Sequence, residues 1–200
     1  MSKRRIESFL VPLLFVLKVA SASHGPVAHW TFDQGLTDPA GHMLQAFGCD
    51  QGQASMVDAA QVPGVLGRAI AMGTANANLD YLTTRMPADL KPGAVYTLEA
   101  WIVPTRTDGW CRLLLLWGKA PDYAYHFALH DGKVSLAHGQ SKGDCLTIEG
   151  GRVRAHCLNH IVGVADGQNL RIYLNGKQVG TLPYDGTIMN TGSMRLGIGD

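Results

Sequence analysis

Short runs of β-type residues, separated by glycine and proline, constrain this chain more than any other feature. The sequence has 24 glycines and nine prolines, and runs rich in Val, Ile, Leu, Thr and aromatic residues recur roughly every ten residues, without a helix-length amphipathic period between them. The predicted strands are 27–32, 68–73, 80–84, 96–103, 111–118, 123–130, 133–138, 160–165, 170–175, 177–182 and 194–199. This spacing predicts an all-β sandwich.

Two of the breaks have the sequence of tight hairpin turns. Asn175–Gly176 and Asp131–Gly132 each separate two predicted strands, and both pairs accept the positive φ angles that a type I′ turn requires. Residues 48–67 are different, since they are mostly small and polar. We predict a long loop there, which either has a function or only wraps the sandwich.

The N-terminus has the pattern of a secretory leader. MSKRR precedes the apolar run FLVPLLFVL, and Ala20-Ser21-Ala22 follows, which predicts a signal peptide over 1–22. A membrane anchor is the alternative, but a span needs about 20 apolar residues and Lys18 interrupts this run. The remaining residues, 23–200, suit one large β domain, secreted, periplasmic or on the cell surface, without a second apolar span.

Charge and cysteine content exclude some functions. The chain has 17 basic and 16 acidic residues without a basic stripe, which argues against a nucleic-acid partner. Four cysteines, Cys49, Cys111, Cys145 and Cys157, lie in the exported part, where disulfides persist. Three pairings are possible. We favour Cys145–Cys157, because these two flank Gly150-Gly151, where we expect a hairpin.

The order of several sequence words resembles a known family. HWTFDQG, GRAIAMG with ANANLDYL, YTLEAWIVPT, LNHIVGVADGQNLRIYLNGKQVG and MRLGIGD follow one another from Ala28 to Asp200. Together they resemble the laminin G-like, concanavalin A-like jelly roll of secreted bacterial proteins, which implies a two-sheet antiparallel sandwich. Family members usually end with one more strand after MRLGIGD. The resemblance therefore implies that the closing C-terminal strand is lacking and that these residues are the N-terminal part of a longer protein.

The proteins that share this jelly-roll scaffold include glycoside hydrolases, so the carboxylates of the chain must be examined. Glycoside hydrolysis needs two carboxyls about 5 to 9.5 Å apart, a separation that alternate residues of one strand provide. Glu99 lies in the strand YTLEAWIV, but its same-face neighbours are not acidic: Val95, Thr97, Trp101 and Val103. We therefore predict no enzyme activity and interpret Glu99 as a strand carboxylate facing away from the core.

Oxygen-bearing residues suggest a structural calcium site as an alternative to no cofactor. Asn76, Asn78 and Asp80 occur at spacing two, and a loop could wrap these oxygens around Ca²⁺. Asp33, after the first strand, is a further candidate ligand. A polar turn before a strand is the other interpretation of the same residues.

Aromatic residues indicate a ligand-binding surface. Trp110 follows Thr107-Asp108-Gly109, a loop sequence, so it is the tryptophan that we expect to be exposed. Tyr123 and Tyr125 are predicted on one face of their strand, with His126 and His130 on the other. We take Trp110, Asp108, Tyr123 and Tyr125 as candidate ligand contacts, although the tyrosines could instead pack in the sandwich.

These observations predict a non-catalytic extracellular binding module whose partner is a glycan or an extracellular protein. The alternative is an accessory spacer or docking domain of a larger secreted hydrolase, without a ligand of its own. In either case the downstream domains of the same polypeptide are expected partners.

Overall fold

The computed structural model describes residues 9–11, 15–18, 26–50, 53–59, 61–64, 67–72, 80–85, 90, 93–117, 123–141, 143–189 and 195–199. Regular structure within these ranges is β-strand, arranged in three antiparallel sheets. Two large sheets pack face to face, and a small one accompanies them. The predicted all-β sandwich is therefore confirmed.

The larger sheet has eight strands. In spatial order they are β13 (Asp144–Gly150), β12 (Lys133–Ser141), β11 (Tyr123–His130), β10 (Trp110–Trp117), β17 (Arg195–Ile198), β8 (Tyr81–Arg85), β4 (Gln45–Asp50) and β5 (Gln53–Met56).

The second sheet has six strands, and the third has three. The six are β16 (Lys177–Pro183), β15 (Asn169–Leu174), β14 (Asn159–Asp166), β9 (Val95–Ile102), β2 (Phe15–Lys18) and β3 (Ala28–Trp30). The small sheet contains β1 (Phe9–Val11), β7 (Arg68–Met72) and β6 (Gln61–Pro63).

The core lies between the two large sheets because alternate residues of each strand point inward. One transverse row shows this, since its members are register partners across seven strands and all are buried: Ala46, Leu82, Ile198, Leu114, Phe127, Leu136 and Ile148. Gly163 faces this row from the other sheet, and a Cβ there would lie 3.2 Å from the Phe127 ring. Glycine thus lets the two sheets approach closely at this point.

Strand β9 follows the predicted alternation. Tyr96, Leu98, Ala100 and Ile102 are fully buried, while the intervening residues are partly exposed. Glu99 therefore lies on the outer face, as predicted.

Both predicted hairpin turns are present. Asp131 and Gly132 have φ angles of 47° and 75°, and Asn175 and Gly176 have 51° and 78°. They join β11 to β12 and β15 to β16. Positive φ at both central positions is the signature of the type I′ turn.

The structure also corrects the strand prediction. The predicted loop 48–67 contains β5, β6 and the end of β4, and strand β13 was not predicted at all. Within the predicted signal peptide, Phe15–Lys18 pairs with β3 on one side and β9 on the other. Removal of residues 1–22 stays a prediction.

The predicted bridge Cys145–Cys157 is wrong in this structure, because both thiols are free and exposed. The hairpin on which it depended does not exist. Strand β13 pairs with β12, whereas the chain after Gly151 crosses to the six-stranded sheet and enters β14. Cys145 is at the start of β13, the end far from this crossing. Cys111 is also free, and burial raises the pKa of its thiol to about 12.

Candidate functional site

A stack of aromatic rings lies on the outer face of the eight-stranded sheet. The Trp110 and His130 rings are 4.1 Å apart between centroids and 12° from parallel. Trp110 also stacks on His126 at 5.4 Å, and His126 stacks on Tyr123 at 6.0 Å. We call Trp110, His130, His126 and Tyr123 the Trp110 platform. Trp110 is 46% exposed, so nearly half of its surface is accessible to a ligand.

The loop before Trp110 is attached to the neighbouring hairpin turn. The Gly109 N–H donates to the Asp131 carboxylate at 2.8 Å, and the Asp131 N–H donates to the Gly109 carbonyl at 2.9 Å. A Cβ at Gly132 would lie 3.1 Å from the Thr107 Cβ. Two hydrogen bonds and this close approach hold Trp110 at the first position of β10, directly opposite His130.

A carboxylate completes the platform. His130 Nδ1 donates to Glu149 Oε1 at 2.7 Å, since an ionised carboxylate only accepts. His130 is on β11 and Glu149 is on β13, so the contact crosses β12, which lies between them. Ser135 of β12 is the register partner of both Ala128 and Glu149. Sequence reasoning did not find Glu149 as a site residue, because it belongs to the strand that was not predicted.

The two tyrosines that we predicted as ligand contacts point to different faces of β11. Tyr125 is fully buried, so its prediction as a ligand contact is wrong, and desolvation holds the pKa of its hydroxyl well above the usual range. Tyr123 stays on the surface. Leu116 is opposite Tyr125 and Trp117 is opposite Tyr123, so a β-bulge at Ala124 breaks the alternation. That bulge places Tyr123 beside His126 instead of with Tyr125.

Asp108, the remaining candidate ligand contact, lies in the loop before Trp110. Its side chain is highly exposed, and its carboxylate is 3.6 Å from Arg106 Nε. It lies two residues before Trp110, so it could contact a ligand stacked there. A ligand role for Asp108 stays a prediction.

The structure describes only part of the predicted calcium site. Asn76 and Asn78 lie outside the described residues. Asp33 Oδ1 accepts the Arg68 N–H at 2.7 Å, and a Cβ on Gly67 would collide with this carboxylate, so Asp33 connects the loop after β3 to β7. The described residues contain no group of three or more His, Cys, Asp or Glu side chains placed to hold a metal. Calcium binding stays a prediction.

A second tryptophan, histidine and glutamate meet on the outer face of the six-stranded sheet. The Trp101 and His160 rings are 4.3 Å apart between centroids and 17° from parallel, and His160 Nε2 donates to Glu99 Oε1 at 2.9 Å. His160 and Glu99 keep about a quarter of their side-chain surface exposed, at 23% and 25%. We name this group the Trp101 cluster.

Neither group brings two glutamates together. Glu99 is on β9 and Glu149 on β13, outside opposite sheets of a sandwich whose layers pack about 10 Å apart. The pair of carboxyls that glycoside hydrolysis requires therefore cannot come from these two residues. What the Trp110 platform offers is ring stacking and hydrogen bonds, which are binding interactions.

The fold, a two-sheet antiparallel β-sandwich, agrees with the family to which the sequence is matched. A family model for the concanavalin A-like lectin/glucanases superfamily, of laminin G type, matches residues 76–200, more than half of the chain. The chain belongs to this superfamily. No curated protein sequence matches it. None of the described residues forms a helix long and apolar enough to cross a membrane.

Solved structures with the same fold include binding domains. Domain 4 of an extracellular arabinanase from Geobacillus stearothermophilus, in complex with arabinotriose, superposes with a TM-score of 0.60 at 19% identity, covering 86% of this chain and 82% of that one. The binding domain of botulinum neurotoxin DC, in complex with rat synaptotagmin II, gives 0.58 at 8% identity, covering 78% and 43%. The binding domain of Paraclostridial Mosquitocidal Protein 1 gives 0.58 at 11%, covering 94% and 47%. The chain thus spans less than half of each toxin domain, and these similarities show the fold alone.

Proposed function

We propose that this protein is a non-catalytic, extracellular carbohydrate-binding module and that the Trp110 platform is its binding site. The observation that carries the proposal is the exposed Trp110 ring, which is stacked on His130 and His126. Tryptophan is enriched at binding interfaces, because its large ring buries much surface on contact while its N–H can still form a hydrogen bond.

The platform combines the two kinds of contact that a sugar needs. The Trp110 ring gives an apolar plane for the C–H face of a sugar ring, and Glu149 and His130 give hydrogen-bonding atoms beside it. Because His130 Nδ1 is already bonded to Glu149, the orientation of both groups is set before a ligand arrives. Preorganised contacts of this kind lose less entropy on binding.

A glycan is favoured over a protein ligand by the size of the feature. Stable protein interfaces bury about 1,600 Å² in total, whereas the platform comprises four side chains on two adjacent strands. The arabinanase domain, whose structure contains arabinotriose, supports a sugar ligand for this fold. The neurotoxin domain in complex with synaptotagmin supports the protein alternative only at the level of fold.

The test compares two tryptophans, each of which has a histidine and a glutamate as neighbours. Trp110→Ala removes the proposed contact, and Trp101→Ala, in the matched cluster on the other sheet, is the control. Central tryptophans of binding sites typically contribute about 2 kcal/mol or more, so we expect Trp110→Ala to weaken binding about 30-fold and Trp101→Ala to leave it unchanged. Affinities are measured calorimetrically against arabinan, xylan and β-1,3-glucan.

The same titrations, repeated with a chelator, test the calcium prediction. A loss of affinity that added Ca²⁺ restores would support it. If the wild-type protein binds none of these glycans in either condition, the carbohydrate function is wrong and the spacer alternative gains support. Equal binding by wild type and Trp110→Ala would exclude the platform as the site.

A further inference from the structure

A short segment connects the two large sheets after β16. Residues 184–189 leave the six-stranded sheet and reach the eight-stranded one, where the Met189 N–H donates to the Gly139 carbonyl of β12 at 2.8 Å. We call residues 184–189 the strap. Of its six residues Tyr184 alone is buried, while Ile188 and Met189 are packed partly against the core. The strap therefore depends largely on hydrogen bonds for its position.

The first residue of the strap is fixed to the six-stranded sheet. The Tyr184 N–H donates to the Gln168 carbonyl at 2.9 Å, and the Tyr184 hydroxyl accepts from the Gly167 N–H at 2.8 Å. The same hydroxyl donates to the Ala94 carbonyl. Gly167 and Gln168 lie between β14 and β15, and Ala94 precedes β9. Three hydrogen bonds thus hold this end, and the rest of the strap can move about it.

The middle of the strap is attached to the interior by one side chain, His138. This histidine is on β12 and is fully buried. Its Nε2 donates to the Thr187 carbonyl at 2.6 Å, because a carbonyl oxygen only accepts. Its Nδ1 accepts from the hydroxyl of Tyr96, on the opposite sheet, at 2.7 Å. Neutral His138, with its proton on Nε2, therefore satisfies both bonds of the closed strap.

The surroundings of the His138 ring do not favour a positive charge. The titratable groups that face it are Tyr96 from β9, Tyr125 from β11, and Tyr184 and Asp185 from the strap. The three tyrosines are uncharged, and the Tyr125 hydroxyl has no hydrogen-bond partner in the described part of the chain. Asp185 lies in the exposed part of the strap. Burial is the largest influence on the pKa of His138 and lowers it.

We propose that the strap is a pH-dependent closure of the sandwich, which opens when His138 takes up a proton on Nδ1 while the two sheets stay folded. A proton on Nδ1 removes the acceptor of the Tyr96 hydroxyl and places a charge in an apolar interior, which is costly. The Thr187 carbonyl covers Nε2, so release of the strap lets water reach the ring. Local openings of this kind need less free energy than global unfolding. The inference does not depend on the carbohydrate function.

The sign of the pH dependence follows from proton linkage. A solvated histidine takes up its proton near about pH 6.5, whereas His138 under the closed strap does so only at lower pH. The open form therefore binds more protons than the closed form in this interval. The opening equilibrium should be constant above about pH 6.5 and should increase as the pH falls, by at most about tenfold for each pH unit.

The experiment is native-state hydrogen exchange of the full chain between pH 7.5 and 5, expressed as protection factors so that the pH dependence of intrinsic exchange is removed. The Met189 amide reports on the strap, and the amides of β14 report on the sheets. For wild type we expect Met189 to be less protected than β14 and to lose up to about tenfold protection per pH unit below about pH 6.5. Low urea should accelerate exchange in β14 but not at Met189, because local opening exposes little surface.

Two variants assign the effect to one histidine. In His138→Gln the amide can donate to the Thr187 carbonyl and accept from the Tyr96 hydroxyl but does not titrate, so protection at Met189 should become independent of pH. His156→Asn, at an exposed position outside the strap, should keep the wild-type pH dependence.

Three results would overturn the inference. One is exchange of Met189 only by global unfolding, with the protection and urea dependence of β14. Another is a pH dependence of Met189 that persists in folded His138→Gln. If that variant does not fold, wild-type protein with isotope-labelled histidine rings gives the third, namely titration of the His138 ring without a loss of protection at Met189. Loss of protection over the same pH interval as the ring titration would support the closure.

Discussion

Two clusters of the same three residue types, one on each sheet, are built alike and are proposed to do different things. In both, a tryptophan is the direct cross-strand partner of a histidine, with Trp110 opposite His130 and Trp101 opposite His160. In both, that histidine donates to a glutamate. Cross-strand aromatic pairs of this kind stabilise a sheet wherever they occur. The shared motif is therefore structural, and the surroundings must account for any difference in function.

The difference lies in position along the strand. Trp110 is the first residue of β10, after a loop, whereas the described part of β17 pairs with Leu114 to Trp117, further along the strand. The Trp110 ring is nearly half exposed. Trp101 lies near the end of the long strand β9 and is partly covered. In the function proposed above, the same stacked pair is a binding surface in one place and a support for the sheet in the other.

The largest expected effect that would test this comparison is on stability. Trp101→Ala removes a partly buried ring and its stack on His160, and we expect it to lower the free energy of unfolding by about 2 kcal/mol. Trp110→Ala should cost less than about 1 kcal/mol, because its ring is already half solvated. Denaturant midpoints at unchanged slope measure both. Equal losses would mean that the two clusters are equivalent supports.

Particular residues show how far sequence alone could predict this fold and site. The turn pairs Asp131–Gly132 and Asn175–Gly176 were predicted because only a few residue types accept two successive positive φ angles. Trp110 was predicted as exposed from the loop sequence that precedes it. In contrast, β13 carries Asp144, Cys145 and Glu149 within seven residues, and an edge strand with little apolar alternation has no period to detect.

The errors at the site have local causes. Tyr125 was assigned to the surface because strict alternation groups it with Tyr123, and a one-residue bulge is not visible in the sequence. His130 and Glu149 meet across β12, through the register of three strands. Such pairings depend on the whole sheet, so no short window of sequence contains them.

A third histidine extends the comparison from the outer faces to the interior. His138 is fully buried between the sheets, where Nδ1 accepts from the Tyr96 hydroxyl at 2.7 Å and Nε2 donates to the Thr187 carbonyl at 2.6 Å. Burial lowers the pKa of His138 below the ordinary 6.5, although the Thr187 carbonyl and Asp185 oppose the shift.

This depressed pKa predicts a loss of stability on acidification. The unfolded chain takes up a proton on this histidine near pH 6.5 while the folded chain does not, so stability is complete above about pH 6.5 and falls as the pH decreases toward the folded pKa. Each unit of lowering corresponds to about 1.4 kcal/mol. His138→Gln should flatten this part of the stability curve. The control His156→Asn, at an exposed position with φ of 57°, which asparagine tolerates, should not.

A smaller effect distinguishes the two glutamates. Glu99→Gln weakens the bond to His160 on the supporting cluster, and we expect a loss of about 0.5 to 1 kcal/mol of stability, reduced by solvent because both groups are partly exposed. Glycan affinity should be unaffected. Glu149→Gln should lower glycan affinity about three- to fivefold, which corresponds to less than 1 kcal/mol, with little change in stability. If each glutamate produced the effect expected of the other, the assignment of roles to the two faces would be reversed.

The smallest effect concerns the two exposed cysteines. Cys145 is on the edge strand of the eight-stranded sheet, and Cys157 is in the crossing between the sheets, so neither thiol supports the Trp110 platform or the Trp101 cluster. Cys145→Ser and Cys157→Ser should each change the free energy of unfolding by less than about 0.5 kcal/mol, as substitutions at exposed positions usually do. A bridge between them would be expected to contribute about 2 to 4 kcal/mol. Unfolding with and without reductant, together with a count of reactive thiols, distinguishes free thiols from a bridge. A bridged protein would lose stability on reduction, and a protein with free thiols would not.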